Sequence, residues 1–185
     1  MRKIVLASGS PRRHELLKYI VPDFEILPSD IEEIASGSPV EQVVKLALDK
    51  AGDIAAKRPS AVVIGADTLV AIGDVILGKP KDKADAARML RMLSGNMHYV
   101  YTGIAVIADG KAKTECVCTE VTFNEMTDVE IAGYIDTGEP MDKAGAYGIQ
   151  GWGGKFIDRI DGCYFNVMGL PQSVVYGMLR KLSIL

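Results

Sequence analysis

Two arginines in the first turn of a helix are the first chemical oddity of this chain. Leu6-Ala7-Ser8-Gly9-Ser10-Pro11-Arg12-Arg13 reads as a strand end, a turn of small residues and a helix start. Unpaired N–H groups at a helix N-terminus favour an anion, and Gly and Ser let a phosphate approach the backbone. Cations there oppose the helix macrodipole by ~0.3–1 kcal/mol, a penalty that a bound polyanion would remove. The plain alternative is a capped helix whose arginines face water. A second oddity is Gly65-Ala66-Asp67-Thr68, which interrupts a nearly continuous apolar run from Ala61 to Ile72. A carboxylate in a central strand is costly unless paired or metal-bound. Such a group suits a magnesium ligand or a general base; otherwise it is a turn aspartate bonded to its own backbone.

Three weaker signals accompany these. Gly73-Asp74-Val75-Ile76-Leu77-Gly78-Lys79-Pro80 fits G-x-x-x-x-G-K but ends in proline, which has no hydroxyl for magnesium, and its middle is strand-like. A P-loop is therefore rejected, although Lys79 still offers a point charge to a phosphate. Gly145-Ala146-Tyr147-Gly148-Ile149-Gln150-Gly151 packs glycines around one tyrosine and one glutamine. It is either a bulged strand or a backbone that must approach a ligand, with Gln150 able to donate and accept along a base edge. Asp30-Ile31-Glu32-Glu33 is a solvated acidic loop or a source of metal carboxylates.

Composition narrows the chemistry. The 185 residues are 48% hydrophobic and 24% charged, as in a folded globular protein of one large domain or two small lobes with a shared core. Lys plus Arg number 21 against 24 for Asp plus Glu, a net charge of −3 that argues against duplex nucleic acid as a partner. No apolar run approaches the ~20 residues of a membrane span, and the N-terminal apolar stretch is too short for a signal peptide, so a cytoplasmic location is expected. Cys116, Cys118 and Cys163 lack zinc spacing and read as reduced structural thiols. His14 and His98 alone cannot supply a histidine metal cage, and a Ser-His-Asp triad is poorly provided for.

The elements that must position these residues alternate in type. Strands are expected at Lys3–Ala7, Phe24–Leu27, Ala61–Ile72, Val75–Leu77, Tyr99–Ala108, Lys113–Phe123 and Phe156–Ile160. Helices are expected from Ser10-Pro11 to Ile20, from Ser38-Pro39-Val40-Glu41 to Arg58, and from Asp82 to Leu93. Two more run from Thr127-Asp128-Val129-Glu130 to Asp136 and from Pro171, as first helical residue, to Leu182. Two of these starts are capping boxes, and Asp109-Gly110 is a hairpin turn. The central hairpin breaks strict βαβ order, so the expected fold is mixed α/β: an elongated mixed sheet with flanking helices and a groove between two lobes.

In this order the motifs resemble the Maf family of nucleoside triphosphate pyrophosphatases, also known as septum formation inhibitors. The matching stretches are LASGSPRRHELL, DIEE, LALDKA, GADTLV, LGKPKD, MLRMLSGNMHYVYTG, AGAYGIQGWGGKFI and NVMGLP, which together cover nearly the whole chain. The resemblance implies one Maf-like domain over residues 1–185, with two lobes and a cleft, similar to inosine triphosphate pyrophosphatase and commonly homodimeric. It implies hydrolysis between the α and β phosphates with Mg²⁺ or Mn²⁺, a nucleoside triphosphate diphosphatase activity.

The family's proton acceptor falls on Asp67, and its phosphate and metal positions on Ser8, Arg13, Glu33, Lys50 and Lys79. The residues that mark its dTTP/UTP branch match Arg12, Thr68 and Gln150, while Trp152 stands where a smaller or aliphatic residue is expected. The implied reaction has Arg13, Lys50 and Lys79 neutralise the triphosphate. Glu33 and Asp67 hold the metal, and Asp67 takes a proton from the attacking water. Two rivals are a nucleotide-binding regulator of cell division without turnover and a purine-selective, inosine-triphosphate-type enzyme.

Overall fold

A computed structural model describes residues 2–34 and 36–185. Its strands are β1 (Ile4–Leu6), β2 (Glu25–Ile26), β3 (Val62–Ile72), β4 (Val75–Leu77), β5 (Met97–Ala108), β6 (Lys111–Phe123) and β7 (Ile157–Asp161). Its helices are α1 (Pro11–Lys18), α2 (Pro39–Lys57), α3 (Lys83–Leu93), α4 (Asp128–Asp136), α5 (Tyr164–Val167) and α6 (Gln172–Lys181). One mixed sheet runs β2-β1-β3-β5-β6-β7, with β4 paired to β3. β1 is parallel to both β2 and β3, whereas β3–β4 and β6–β7 are antiparallel.

The local signals act as their chemistry dictates. Ser38 accepts the Glu41 N–H while the Glu41 carboxylate takes the Ser38 N–H, and Thr127 and Glu130 repeat the exchange at α4. Asp82 caps α3 through the Asp85 N–H. Asp109 and Gly110, at φ 51° and 72°, make the left-handed pair that a tight hairpin requires. One start keeps its expected residues without a side-chain cap, and one differs from expectation. Ser10 is the N-cap of α1, with Pro11 in its first turn, but its side chain makes no cap hydrogen bond; its N–H donates to Ser8 Oγ at 3.3 Å. Pro171 is the N-cap of α6 rather than its first helical residue. The four-residue α5 carries no periodic signal and was not expected.

The chain forms two compact units. The first comprises residues 1–67, 102–117 and 169–185; the second comprises 68–101 and 118–168. β3, β5 and β6 therefore each divide between them. The first unit buries one face of α2 on the sheet through Ala47, Ala51 and Ile54, packed with Val5, Ala7, Val63 and Ala105. Two glycines permit this approach. A Cβ at Gly65 would lie 2.3 Å from the Ala47 carbonyl oxygen, and one at Gly103 would lie 2.2 Å from that of Val43.

The second unit is cored by α3, α4 and the sheet residues Val70, Val100, Val121 and Phe123. His98 lies within it, fully buried, with Nε2 2.8 Å from the Tyr147 hydroxyl and its ring edge-on to Phe123 and Tyr147. Burial pushes the imidazole down to about 4, opposed only in part by a hydrogen bond to the Asn96 backbone. The folded chain thus refuses a proton that the unfolded chain accepts below about 6.5. This contribution to stability is complete above that pH and is lost as pH falls towards 4, a difference of ~3 kcal/mol. Urea midpoints measured from pH 7.5 to 4 are expected to fall more steeply for the native chain than for His98→Gln. Parallel slopes in the two proteins would clear His98 of the effect.

Candidate functional site

β1 and β3 run side by side, with Leu6 level with Ile64 and the Ala7 N–H bonded to the Ile64 carbonyl at 2.8 Å. The ladder thereby delivers Ser8 at the end of β1 and carries β3 on to Asp67. Both residues are buried, at 7% and 8% exposure. α2 crosses β3 in contact, so Lys50 reaches down to the strand. Its ammonium lies 2.7 Å from Asp67 Oδ1 and 2.7 Å from Glu33 Oε1. The Lys50 and Asp67 side chains are each only 12% exposed, while that of Glu33 is 56% exposed. A buried carboxylate inside a strand is thus paired rather than bonded to a turn, and the turn-aspartate alternative falls.

A second cluster forms around Ser8. Its Oγ accepts the Ser10 N–H and the Arg13 Nη1, the latter at 3.2 Å. Its carbonyl lies 2.7 Å from His14 Nε2. Arg13 Nε donates to the Gly169 carbonyl at 2.9 Å, and Gln172 donates to the Leu16 carbonyl at the end of α1. The NVMGLP stretch therefore has a local purpose: its glycine carbonyl aims the arginine. Burial lowers the Arg13 guanidinium from its ordinary value. The Asp67 carboxylate opposes that fall, Arg12 adds to it and Glu33 opposes it. Arg13 remains a cation throughout. Ser8, Arg13, Glu33, Lys50 and Asp67 thus form one electrostatic group in the first unit, with Arg12 beside Arg13 on α1.

Thr68, Lys79 and Gln150 belong to the second unit. There Gly145 ties their segments together. Its N–H donates to the Gly78 carbonyl at 3.0 Å, next to Lys79. A Cβ on it would lie 2.9 Å from Val70 Cγ2, two residues beyond Thr68 on β3. Lys79 itself is exposed. No helix begins at Lys79; α3 starts at Lys83, as the rejected P-loop requires. Gln150 Oε1 is buried and has no hydrogen-bond partner among the described residues. Such an acceptor costs ~1–3 kcal/mol until something donates to it. Trp152 is 65% exposed and Cys116, Cys118 and Cys163 remain thiols.

Among the described residues no three His, Cys, Asp or Glu side chains converge as a metal cage. Glu33 and Asp67 nonetheless share one cationic partner. Two hard carboxylates are a donor set suited to Mg²⁺, which completes its shell with water and substrate phosphates.

The sequence does not single out Lys50 by type or spacing; the resemblance alone marked it, because its partners lie 17 residues along the chain in either direction. Glu139 and Tyr134, which hold the segment around Gln150, have no local signal at all.

The family model described as "Maf-like protein" matches residues 3–182. A protein of Clostridium botulinum strain 657 named dTTP/UTP pyrophosphatase is 48% identical over 194 residues, covering 100% of this chain and 99% of its own. A Bacillus anthracis protein of the same name is 50% identical over 186 residues, covering 100% and 97%. The structure of a HAM1 protein from Coxiella burnetii aligns with a TM-score of 0.53 at 18% identity, over 99% of this chain and 98% of that one. That likeness supports the mixed α/β fold.

Gly65 sets the distance from which Lys50 reaches Asp67. Gly65→Ala is expected to force α2 from β3 and to cost about 2–3 kcal/mol. An unchanged thermal midpoint would show that the helix is free to retreat without loss.

Proposed function

The chain belongs to the Maf family, and from that premise we propose that it is a nucleoside triphosphate pyrophosphatase that converts dTTP and UTP to the monophosphate and pyrophosphate. The observation that carries this reading is the buried Asp67 carboxylate, held by Lys50 at 2.7 Å within the same electrostatic group as Arg13. Full-length relatives that share about half their residues with it support the substrate class.

In the proposed reaction Ser8, the α1 start and Arg13 receive the triphosphate, and Lys50 and Lys79 neutralise its oxygens. Asp67 accepts a proton from water as the water oxygen bonds to the α phosphorus. The bond from that phosphorus to the bridging oxygen of the β phosphate breaks, and pyrophosphate leaves with the electron pair. No covalent enzyme intermediate is needed, so positioning and charge stabilisation carry the rate. Glu33 and Asp67 would hold Mg²⁺ or Mn²⁺, which when bound supplies further positive charge to the phosphate oxygens. The resemblance also carries a cytoplasmic homodimer. Among the described residues no helix is long and apolar enough to cross a membrane.

Arg12, Thr68 and Gln150 are the proposed base-selecting residues. A glutamine amide can accept the N3–H of uracil or thymine and donate to a ring carbonyl, which would occupy the lone Gln150 oxygen. Unsatisfied polar groups then penalise a wrong base.

Asp67→Asn is expected to lower pyrophosphate release from UTP by at least about 100-fold while nucleotide binding stays measurable. Turnover near the native rate would remove Asp67 from the proton-accepting role. A panel of pyrimidine and purine triphosphates with and without Mg²⁺ checks the substrate class. Absence of pyrophosphate from every substrate would favour a regulator, and preference for ITP would favour the purine-selective class.

A further inference from the structure

In the second unit, Gln150 lies in the irregular link between two short 3-10 helices, Ala144–Ala146 and Trp152–Phe156, and two side chains from the segment before it do the fastening. The Glu139 carboxylate accepts the N–H groups of Trp152 and Gly153, at 2.9 and 3.0 Å. It also accepts the Tyr134 hydroxyl at 2.8 Å. The same Tyr134 oxygen accepts the Gly148 N–H at 3.0 Å. Lys143 Nζ closes the turn on the Glu139 carbonyl at 2.7 Å. Gly148 on one side of Gln150, and Trp152 and Gly153 on the other, are therefore fixed to one tyrosine–glutamate pair.

The fit leaves no slack. A Cβ at Gly151, whose φ is +88°, would lie 2.4 Å from Glu139 Oε2, and one at Gly153 would lie 2.5 Å from the Tyr134 oxygen. Burial would raise the Glu139 carboxyl. The Trp152 N–H, the Tyr134 hydroxyl, the Gly153 N–H and the charge of Lys143 together outweigh it and hold the group below its ordinary value. Glu139 is thus an anion at neutral pH that spends its charge on two consecutive backbone N–H groups and one hydroxyl. None of the proposed chemistry uses it.

We propose that Glu139, acting with Tyr134, is the positioning residue that sets base selectivity by clamping the backbone on either side of Gln150. This inference rests on the reading of Gln150 as the base-reading side chain. The two ends of an amide differ: one accepts and the other donates. Uracil and thymine present a donor at N3 beside a carbonyl, whereas cytosine presents an acceptor at N3 beside an amino group. An amide rotated by half a turn serves cytosine as well as the original serves uracil. Selection between them therefore requires a held amide, and a held amide requires a held backbone. Loosening the clamp is a failure of discrimination before it is a failure of turnover.

The test uses the purified full chain with Mg²⁺ and compares Glu139→Ala, Glu139→Gln, Tyr134→Phe and Gln150→Ala. The readouts are kcat and KM for UTP and CTP, calorimetric affinity for both, and inhibition by inorganic tripolyphosphate. Glu139→Ala is expected to lose at least ~10-fold of the UTP-over-CTP ratio in kcat/KM, mainly through KM for UTP. Tripolyphosphate inhibition should hold. Glu139→Gln, which keeps an acceptor oxygen, should recover most of the ratio, and Tyr134→Phe should shift it in the same direction by less.

If Gln150→Ala changes the ratio while Glu139→Ala and Tyr134→Phe leave it native, the clamp is overturned and base reading by Gln150 stands. If Gln150→Ala itself changes nothing, base reading fails and the clamp with it. An equal fall in kcat for both substrates with the ratio intact marks a merely structural role and overturns the proposal. Should Glu139→Ala fail to fold by circular dichroism, Glu139→Gln and Tyr134→Phe decide the matter, and calorimetry supplies the ratio without turnover.

Discussion

The contact on which the first unit depends is that of one ammonium with two carboxylates. Asp67 lies inside a strand with apolar neighbours, where a lone negative charge would cost several kcal/mol. Lys50 makes that position tenable, and at 2.7 Å from both Asp67 and Glu33 it also draws the acidic loop towards the strand. The pair is poor evidence of stability, since well-packed apolar residues often serve a core as well or better. Its presence in a strand otherwise built of aliphatic residues, Gly65 and Thr68 is better explained by chemistry than by folding. The surrounding architecture is consistent with that reading. Two glycines let α2 lie on the sheet at distances that no side chain could tolerate, and Lys50 is on that helix.

What could be read from the sequence follows the range of each interaction. Ser38 with Glu41 and Thr127 with Glu130 complete their exchanges within four residues, and Asp109-Gly110 turns within two, so each was legible from residue types alone. Asp67 was legible as an anomaly, because a charge in an apolar run is visible without knowing its partner. The partner was not, since Lys50 looks like any helical lysine until the fold brings it to the strand. The same holds for Gly169, which aims Arg13 from 156 residues away, and for Glu139, whose N–H donors lie 13 and 14 residues on. Pro171 failed differently. Proline is favoured both just before and just inside a helix start, and a shift of one position leaves no trace in composition.

The two units answer different physical demands. The first gathers cations around Ser8, Lys50 and Asp67, and such a group discriminates by charge and can tolerate movement of a few tenths of an ångström. Reading a base edge is less forgiving, because a hydrogen bond weakens steeply once its angle opens. The segment around Gln150 is accordingly the more heavily constrained: Gly145 is wedged on Val70 and tied to Gly78, and Tyr134 and Glu139 hold both flanks. Its glycines thus serve close approach more than mobility. At Gly151 and Gly153 a side chain would strike the groups that fix the backbone, so the absence of a Cβ is what makes the segment stiff. A glycine-rich stretch that reads from sequence as a bulged strand or a close approach to a ligand is here held by the contacts that its glycines permit, and any ligand group that Gln150 meets would meet an amide whose backbone has already given up its freedom.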